Sequence, residues 1–279
     1  MIRNIITTIS FLLIFSQVLC QVSDSLTNEK MNVRPFTLNL KVDIPATAAA
    51  TVWTLYNFAQ TSKHDGSSIE TVSSLRISDI NAFDRWAVLP YNKSADNASY
   101  LPFYGAIAYP FIFFILDKKM RKDLLELSFL YLEAMTITGA LYGSATNYAP
   151  RYRPYVYSEK SPMDLRLSSN AKKAFFAGHV ALVATSTFFV AGVFARYHPD
   201  SKLKWLMYSV AAAATAATGY LRHEAGEHFP SDILVGTAIG TLSGLLVPAL
   251  HKTKISRNKH ISFLPFAGAE NGMTILYKF

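Results

Sequence analysis

Apolar residues along this chain gather into five long blocks that short polar segments separate. The blocks cover residues 101–116, 124–145, 174–195, 203–221 and 233–250. Each approaches the roughly 17–25 mostly apolar residues that a helix needs to cross a bilayer, the first being slightly short. The pattern therefore predicts an all-α fold class, with membrane-spanning helices packed as one bundle.

Two weaker patterns precede these blocks. Residues 44–60 are apolar but diluted by alanine and threonine, which predicts a sixth helix that packs against the bundle or lies at its interface. In "RISDINAFDRWAVL", Ile77, Ile80, Phe83 and Trp86 recur at every third position, and that spacing predicts a short helix on the membrane surface. The bundle therefore has five or six spans, depending on whether residues 44–60 cross.

The first twenty residues have the pattern of an export signal. Arg3 precedes an apolar core, and Val18 and Cys20 occupy the −3 and −1 positions of a cleavage site. An uncleaved anchor and a lipoprotein acylated at Cys20 remain alternatives, although Leu19 stands where a lipoprotein has a small residue. Each interpretation implies export to the bacterial envelope.

These patterns divide the chain into four parts. Residues 1–20 form the signal peptide, 21–98 an N-terminal segment with interfacial and packing helices, 99–252 the membrane helix bundle, and 253–279 a C-terminal tail. We expect a disordered or docked tail, with a hairpin about Asn271-Gly272 as the alternative.

Charge gives the bundle an orientation. The chain is 51% hydrophobic and carries a net charge of +8, with its lysines and arginines clustered at 117–123, 196–204 and 251–260. These clusters follow alternate spans, so the orientation rule for membrane loops places them in the cytoplasm of an inner-membrane protein. Loops 146–173 and 222–232 then face the periplasm. Because the positive charge borders spans in this way, we expect no nucleic-acid partner.

The polar segment "GYLRHEAGEHFPSDILVG" before the last block carries candidate chemistry. Its "HEAGEH" is close to a zinc-binding HExxH pattern, but Glu227 stands where the second ligand belongs, so we expect no metal. His228 and Asp232 lie four residues apart. A carboxylate there can accept the proton of one imidazole nitrogen and leave the other as a nucleophile. Arg222, which closes the preceding span, can hold an oxyanion.

The loop on the same predicted side supplies matching groups. "RYRPYVY" contains Arg151 and Arg153, and "FFAGHVALVATS" places Gly178 and His179 at the start of a span. Glycine at a helix N-terminus allows backbone amides to approach an anion, and His179 is then positioned to protonate a leaving oxygen. Cations, amides and two histidines are therefore expected to converge on one phosphate-like ligand.

These motifs resemble the type 2 phosphatidic acid phosphatase superfamily, whose members carry K-x6-RP, PSGH and SR-x5-H-x3-D in that order. The chain retains Arg153-Pro154, Gly178-His179, Arg222, His228 and Asp232. The resemblance spans roughly residues 100 to 250. It implies a membrane phosphatase, without a cofactor, that acts on a lipid phosphate: phosphatidic acid, phosphatidylglycerophosphate, undecaprenyl diphosphate or lipid A phosphate. Its expected partners are that substrate and membrane lipids.

The resemblance also assigns roles. His228 attacks phosphorus, Asp232 holds the tautomer of His228, and His179 protonates the leaving alcohol. The remaining matched groups, Arg153, Arg222 and the Gly178 amide, bind the phosphate.

Two donors of the family pattern are missing. Thr146 replaces the lysine and Ala177 the serine of PSGH, although Arg151 could supply part of the lost charge. A catalytically impaired lipid-phosphate binding protein therefore remains the alternative. A vanadate-dependent haloperoxidase is a third and weaker hypothesis.

Overall fold

The computed structural model of the chain describes residues 34–253 and the backbone of 261–266 and 272–277. The predicted signal peptide lies outside these residues. The described residues contain eight α-helices and one antiparallel pair of strands: α1 Leu40–Thr61, α2 Ile69–Ser74, α3 Lys93–Leu116, α4 Leu124–Tyr148, α5 Met163–Leu167, α6 Gly178–Tyr197, α7 Leu203–Glu224, α8 Pro230–Leu250, β1 Ile261–Phe266 and β2 Gly272–Tyr277.

Among the described residues, four helices are long and apolar enough to cross a membrane: α3, α4 together with the 3₁₀ turn before it, α6 and α8. With these helices the chain is an integral membrane protein of all-helical architecture, as predicted. Helix α7, expected to be a fifth span, is not among the four. Its middle is the alanine- and threonine-rich run "AAAATAATG", which is less apolar than the leucine-rich and phenylalanine-rich spans.

Helix α6 forms the centre of the bundle and packs against α3, α4, α7 and α8. Two buried hydrogen bonds join it to α4, where Tyr131 Oη lies 2.6 Å from Ser186 Oγ and Thr138 Oγ1 lies 2.8 Å from Thr185 Oγ1. Hydroxyl pairs of this kind stabilise contacts between membrane helices without leaving a polar group unsatisfied. They fix the register of α4 against α6.

Helices α6 and α8 touch through their backbones. Gly236, Gly240 and Gly244 lie one turn apart on the face of α8 that meets α6. A Cβ at Gly236 would lie 2.6 Å from the carbonyl oxygen of Ala177, and one at Gly244 would lie 2.5 Å from that of Thr185. Small residues at such spacing let membrane helices approach closely. Only glycine therefore fits this contact without moving a backbone.

Helix α1 packs along α4. Trp53 donates its indole N–H to Ser144 Oγ at 2.8 Å, and Thr54 donates its hydroxyl to the carbonyl oxygen of Thr136 at 3.0 Å. The helix predicted over residues 44–60 is therefore present with longer bounds and lies against the bundle.

The segment with apolar residues at every third position does not form one surface helix. It has two 3₁₀ turns, Ile77–Asp79 and Arg85–Ala87. Between them, Asn81 Oδ1 accepts from the backbone N–H of Asp84 at 3.0 Å. Such a side-chain bond offers the backbone an alternative to a helix, and a spacing of three suits 3₁₀ geometry. The expectation of a continuous helix was therefore wrong.

The first two basic clusters and the described start of the third, residues 251–253, meet at one end of the bundle. Lys119 donates to the carbonyl oxygen of Tyr197 at 3.3 Å, Tyr197 donates its hydroxyl to Asp123 at 2.6 Å, and Arg196 donates to the carbonyl oxygen of Thr253 at 3.3 Å. Beyond this end, the tail forms the hairpin considered as the alternative, with Phe266 opposite Gly272.

Candidate active site

A cavity of about 380 Å³ lies at the bundle end opposite the basic clusters. Helix α3, the loop after α4, the start of α6, the end of α7 and the loop before α8 contribute to its wall. Its ionisable lining includes six side chains: Asp96, Arg153, His179, Arg222, Glu227 and His228. The structure therefore brings together both predicted histidines and two of the three predicted arginines.

His228 is buried in the loop between α7 and α8. Its Nδ1 lies 2.7 Å from the carbonyl oxygen of Ala174. A carbonyl oxygen can only accept, so Nδ1 carries the proton and the lone pair is left on Nε2. Burial, aided by the positive charges of Arg222 and Arg153, holds the pKa of His228 well below its usual 6.5. The ring is therefore a neutral imidazole with a free Nε2.

Asp232 does not have the partner that the motif predicts. One carboxylate oxygen accepts from the backbone N–H of Phe229 at 2.9 Å, and the other accepts from Arg151 at 2.5 Å. Asp232 thus caps the first turn of α8 and neutralises a cation. The expectation that Asp232 orients His228 is corrected, because both of its oxygens have other donors and the carbonyl of Ala174 accepts the Nδ1 proton.

Arg151 also differs from its predicted role. Its guanidinium bonds Asp232 at 2.5 Å and Asp84 at 2.7 Å, and its Cζ lies 4.4 Å from the ring centroid of Phe229. Burial alone would lower the pKa of Arg151, but the two carboxylates raise it. For Asp84, burial alone would raise the pKa, but hydrogen bonds from Arg151 and Ser231 outweigh it and lower the pKa below its usual value. Arg151 therefore ties the 3₁₀ segment to α8 and does not replace the missing lysine.

His179 lies in the first turn of α6, between the rings of Phe103 and Tyr100, whose centroids are 4.3 and 5.0 Å from its own. Its Nε2 is buried and has no hydrogen-bond partner among the described residues. A buried polar atom without a partner is unfavourable, and a ligand in the adjoining cavity can satisfy it. His179 is therefore placed to donate to a bound group.

Gly178 is the first residue of α6, where backbone N–H groups have no partner within the helix. A Cβ at this position would lie 2.7 Å from the ring of Tyr142. Glycine therefore allows Tyr142, which also lines the cavity, to cover the helix start.

Arg153 and Arg222 share a carboxylate that the sequence did not assign to them. Arg222 donates to Glu227 Oε2 at 2.7 Å, and Arg153 forms an ion pair with the same oxygen. Arg222 also donates to Asp96 Oδ1 at 2.5 Å, and Arg153 donates its Nε–H to the carbonyl oxygen of Asn170 at 2.9 Å. The sequence drew attention to Glu227 within the rejected zinc pattern and as a residue of the site entrance or the surface, and Asp96 precedes the first apolar block.

The two departures from the family pattern are buried. Thr146 donates its hydroxyl to the carbonyl oxygen of Gly143 at 3.0 Å, and its Oγ1 lies 3.4 Å from Thr61 Oγ1. Lys173 donates to the carbonyl oxygen of Thr61 at 3.0 Å. Burial and the charge of Arg153 lower the pKa of Lys173. A lysine ammonium thus lies near Thr146, although it comes from a different loop.

Ala177, the other departure, is fully buried and donates its backbone N–H to the carbonyl oxygen of Asp232 at 3.0 Å. This bond joins the start of α6, which carries His179, to the start of α8, which follows His228. The methyl side chain supplies no donor to the cavity.

Residues 127–256 match the family model described as the PAP2 superfamily. The match covers just under half of the chain, and residues 127–256 are called the PAP2 region. The PAP2 region contains Arg153, His179, Arg222, His228 and Asp232, so the resemblance inferred from the motifs is confirmed, although the match begins at residue 127 and not near 100.

One solved structure is similar to a larger part of the chain than the PAP2 region alone. It is described as the crystal structure of the first transmembrane PAP2 type phosphatidylglycerolphosphate phosphatase from Bacillus subtilis, with 20% identity, 77% of this chain and 99% of that chain covered, and a TM-score of 0.44. Among curated proteins, none matches the chain significantly.

Proposed function

We propose that this PAP2 membrane protein is a phosphatase that hydrolyses a lipid phosphate through a phosphohistidine on His228. One observation carries the proposal. The Nδ1 proton of His228 is bonded to the carbonyl oxygen of Ala174, while the ring borders a cavity that also holds Arg153, Arg222 and His179. A neutral, oriented imidazole beside two guanidinium groups is suited to attack a phosphate.

In the first step of the proposed reaction, Nε2 of His228 forms a bond to phosphorus as the bond from phosphorus to the lipid oxygen breaks. His179, which takes up a proton from solvent when the anionic substrate binds, donates that proton to the departing oxygen in this step. The products are a lipid alcohol and a phosphohistidine. Phosphorylation makes the ring of His228 cationic, and the carbonyl of Ala174 stabilises that charge by accepting from Nδ1.

In the second step, a water molecule attacks phosphorus and transfers one proton to the now neutral His179. The bond from phosphorus to Nε2 breaks, inorganic phosphate leaves, and His228 regains its neutral form. Negative charge on the transferring phosphoryl oxygens is stabilised by Arg153, Arg222 and the first-turn amides of α6, so the proposal requires no metal or cofactor.

The location of the cavity supports a lipid substrate. The cavity lies at the ends of the spanning helices, where a phospholipid carries its phosphate, and the basic clusters occupy the other end. By the orientation rule, the proposed active site faces the periplasm from the inner membrane.

The test is phosphate release by the purified full-length chain in detergent, with phosphatidic acid, phosphatidylglycerophosphate, undecaprenyl diphosphate and lipid A phosphate as substrates. His228→Ala should abolish turnover, whereas His64→Ala, in the loop after α1, should not. A labelled phosphate should also be trapped on the wild-type protein in a form that is stable to base and labile to acid. Near-normal turnover by His228→Ala would refute the mechanism.

A catalytically impaired binding protein is the second candidate, because neither Thr146 nor Ala177 offers a donor to the phosphate. Each lost hydrogen bond to a charged group is worth about 1.5–3 kcal/mol, or roughly ten- to a hundredfold in rate. Such a protein would bind vanadate or phosphate but release no phosphate from any lipid of the panel.

A further inference from the structure

The carboxylate of Glu227 lies where an anionic ligand of the two arginines would bind. Its Oε2 accepts from Arg222 at 2.7 Å and pairs with Arg153, and the residue is 4% exposed. We propose that Glu227 is an internal competitor for the phosphate site, which substrate phosphate must displace. The inference rests on the proposed function in taking these arginines as the phosphate-binding groups.

The charges around the cavity support displacement. Its described lining has two guanidinium groups, Arg153 and Arg222, and two carboxylates, Asp96 and Glu227. With neutral histidines these formal charges cancel, so a phosphate entering beside both carboxylates would add uncompensated negative charge at a buried site. Removal of one carboxylate from the arginines restores the positive charge that an anion needs.

Glu227 is better suited to leave than Asp96. Asp96 contacts only Arg222 of the two arginines, and it accepts a second bond from the hydroxyl of Tyr91 at 2.8 Å. Glu227 contacts both arginines through one oxygen. Its displacement therefore makes a donor of each arginine available at once, while Arg222 keeps its bond to Asp96.

The exchange requires only a side-chain movement. The backbone N–H of Glu227 bonds the carbonyl oxygen of Arg222 at 3.1 Å. The preceding residue, Gly226, has a φ of +68° and accepts from the backbone N–H of Tyr155 at 3.0 Å. These bonds hold the loop, so rotation of the Glu227 side chain leaves the adjacent His228 in place.

An internal competitor weakens the binding of every phosphate. It lowers the affinity for every anion at the arginines by the same factor, but a lipid phosphate has additional binding energy from its membrane-embedded part. Inorganic phosphate has none. Glu227 therefore lowers the occupancy of the site by free phosphate, while a lipid phosphate still binds because its membrane-embedded part supplies further affinity.

The experiment measures binding of inorganic phosphate and of vanadate to the purified full-length chain by titration calorimetry in detergent. Glu227→Gln should tighten both by about ten- to a hundredfold, as expected for one charge-assisted bond that no longer competes. Glu227→Asp keeps the charge but has a shorter reach, so it should tighten binding to a smaller extent. Glu224→Gln, the matched control at the end of α7, makes the same charge change and should leave both affinities unchanged.

Unchanged or weaker phosphate binding by folded Glu227→Gln would overturn the inference. If Glu227→Gln does not fold, the direction in which Glu227→Asp changes the phosphate affinity decides. Loss of folding in both variants would identify Glu227 as a structural counter-ion and would also overturn the inference. The readout needs no turnover. If Glu227→Gln binds phosphate more tightly but the wild-type chain hydrolyses no lipid, the competitor at the anion site is supported and the proposed reaction is contradicted. If the wild-type chain hydrolyses a lipid but Glu227→Gln has unchanged affinity, the reaction is supported and the competitor is contradicted.

Discussion

Asp232→Asn should destabilise the protein while sparing turnover in the molecules that remain folded. Asp232 is fully buried and accepts from Arg151 at 2.5 Å and from the N–H of Phe229 at 2.9 Å. Asparagine retains one oxygen for the cap but loses the charge. Removing one partner of a buried ion pair costs about 3–5 kcal/mol. Arg151 keeps its ion pair with Asp84, and its side chain is 23% exposed. We therefore expect the free energy of unfolding to fall by about 2–3 kcal/mol, which is at or below the lower end of that range.

The assay is thermal unfolding in detergent followed by tryptophan fluorescence, with turnover measured well below the transition. For domains of this size, such a loss corresponds to a decrease in Tm of about 4–12 °C. Asp84→Asn is the matched control, because it removes the other carboxylate on Arg151. Both variants should lose stability, and both should keep turnover within about a factor of ten.

The opposite pattern would refute this interpretation of the hydrogen bonds. A carboxylate that holds the tautomer of a catalytic histidine is worth about 10⁴-fold in kcat. If Asp232→Asn kept its Tm but lost turnover on that scale, while Asp84→Asn stayed active, Asp232 would be the group that orients His228. The carbonyl of Ala174 would then be a secondary acceptor.

Two further predictions concern proton transfer and orientation. His179→Ala should slow hydrolysis of alkyl phosphates more than that of aryl phosphates, whose leaving groups need less protonation, and equal losses in kcat/KM for both classes would count against His179 as the acid. In a chain with Cys20 replaced by serine, Lys160→Cys should react with a membrane-impermeant thiol reagent in intact spheroplasts and Lys202→Cys should not, and the reverse labelling would invert the predicted sidedness.

The apolar pattern predicted the helices well where the chain is uniformly apolar, but it misplaced polar helix ends. Helix α3 begins at Lys93, not at residue 101, because Asn92 accepts from the N–H groups of Ser94 and Ala95 at 3.1 and 3.3 Å. A capping side chain can start a helix in a polar segment, which hydropathy does not register. The two turns missed in this way contain Asp96.

Motif spacing predicted which residues meet but not which atoms bond. His179 and His228 border one cavity as their motifs imply. The partner of His228 is a backbone carbonyl, which every residue possesses, so no residue type in the sequence signals it. Asp232 accepts from Arg151 and from the backbone N–H of Phe229. Arg151 outcompetes a neutral imidazole because a charge-assisted bond to a carboxylate is the stronger one.

The glycine contact between α6 and α8 bears on how this protein can acquire new specificity. His179 lies in the first turn of α6 and His228 in the loop before α8. The separation of these two helices is set by Gly236, Gly240 and Gly244 against backbone atoms. Substitution at this contact would change the distance between nucleophile and acid and so harm the reaction for every substrate. Helix α1 meets the bundle mainly on the flank of α4. Sequence drift between relatives that prefer different lipids should therefore concentrate on α1 and α3, while the three glycines stay unchanged.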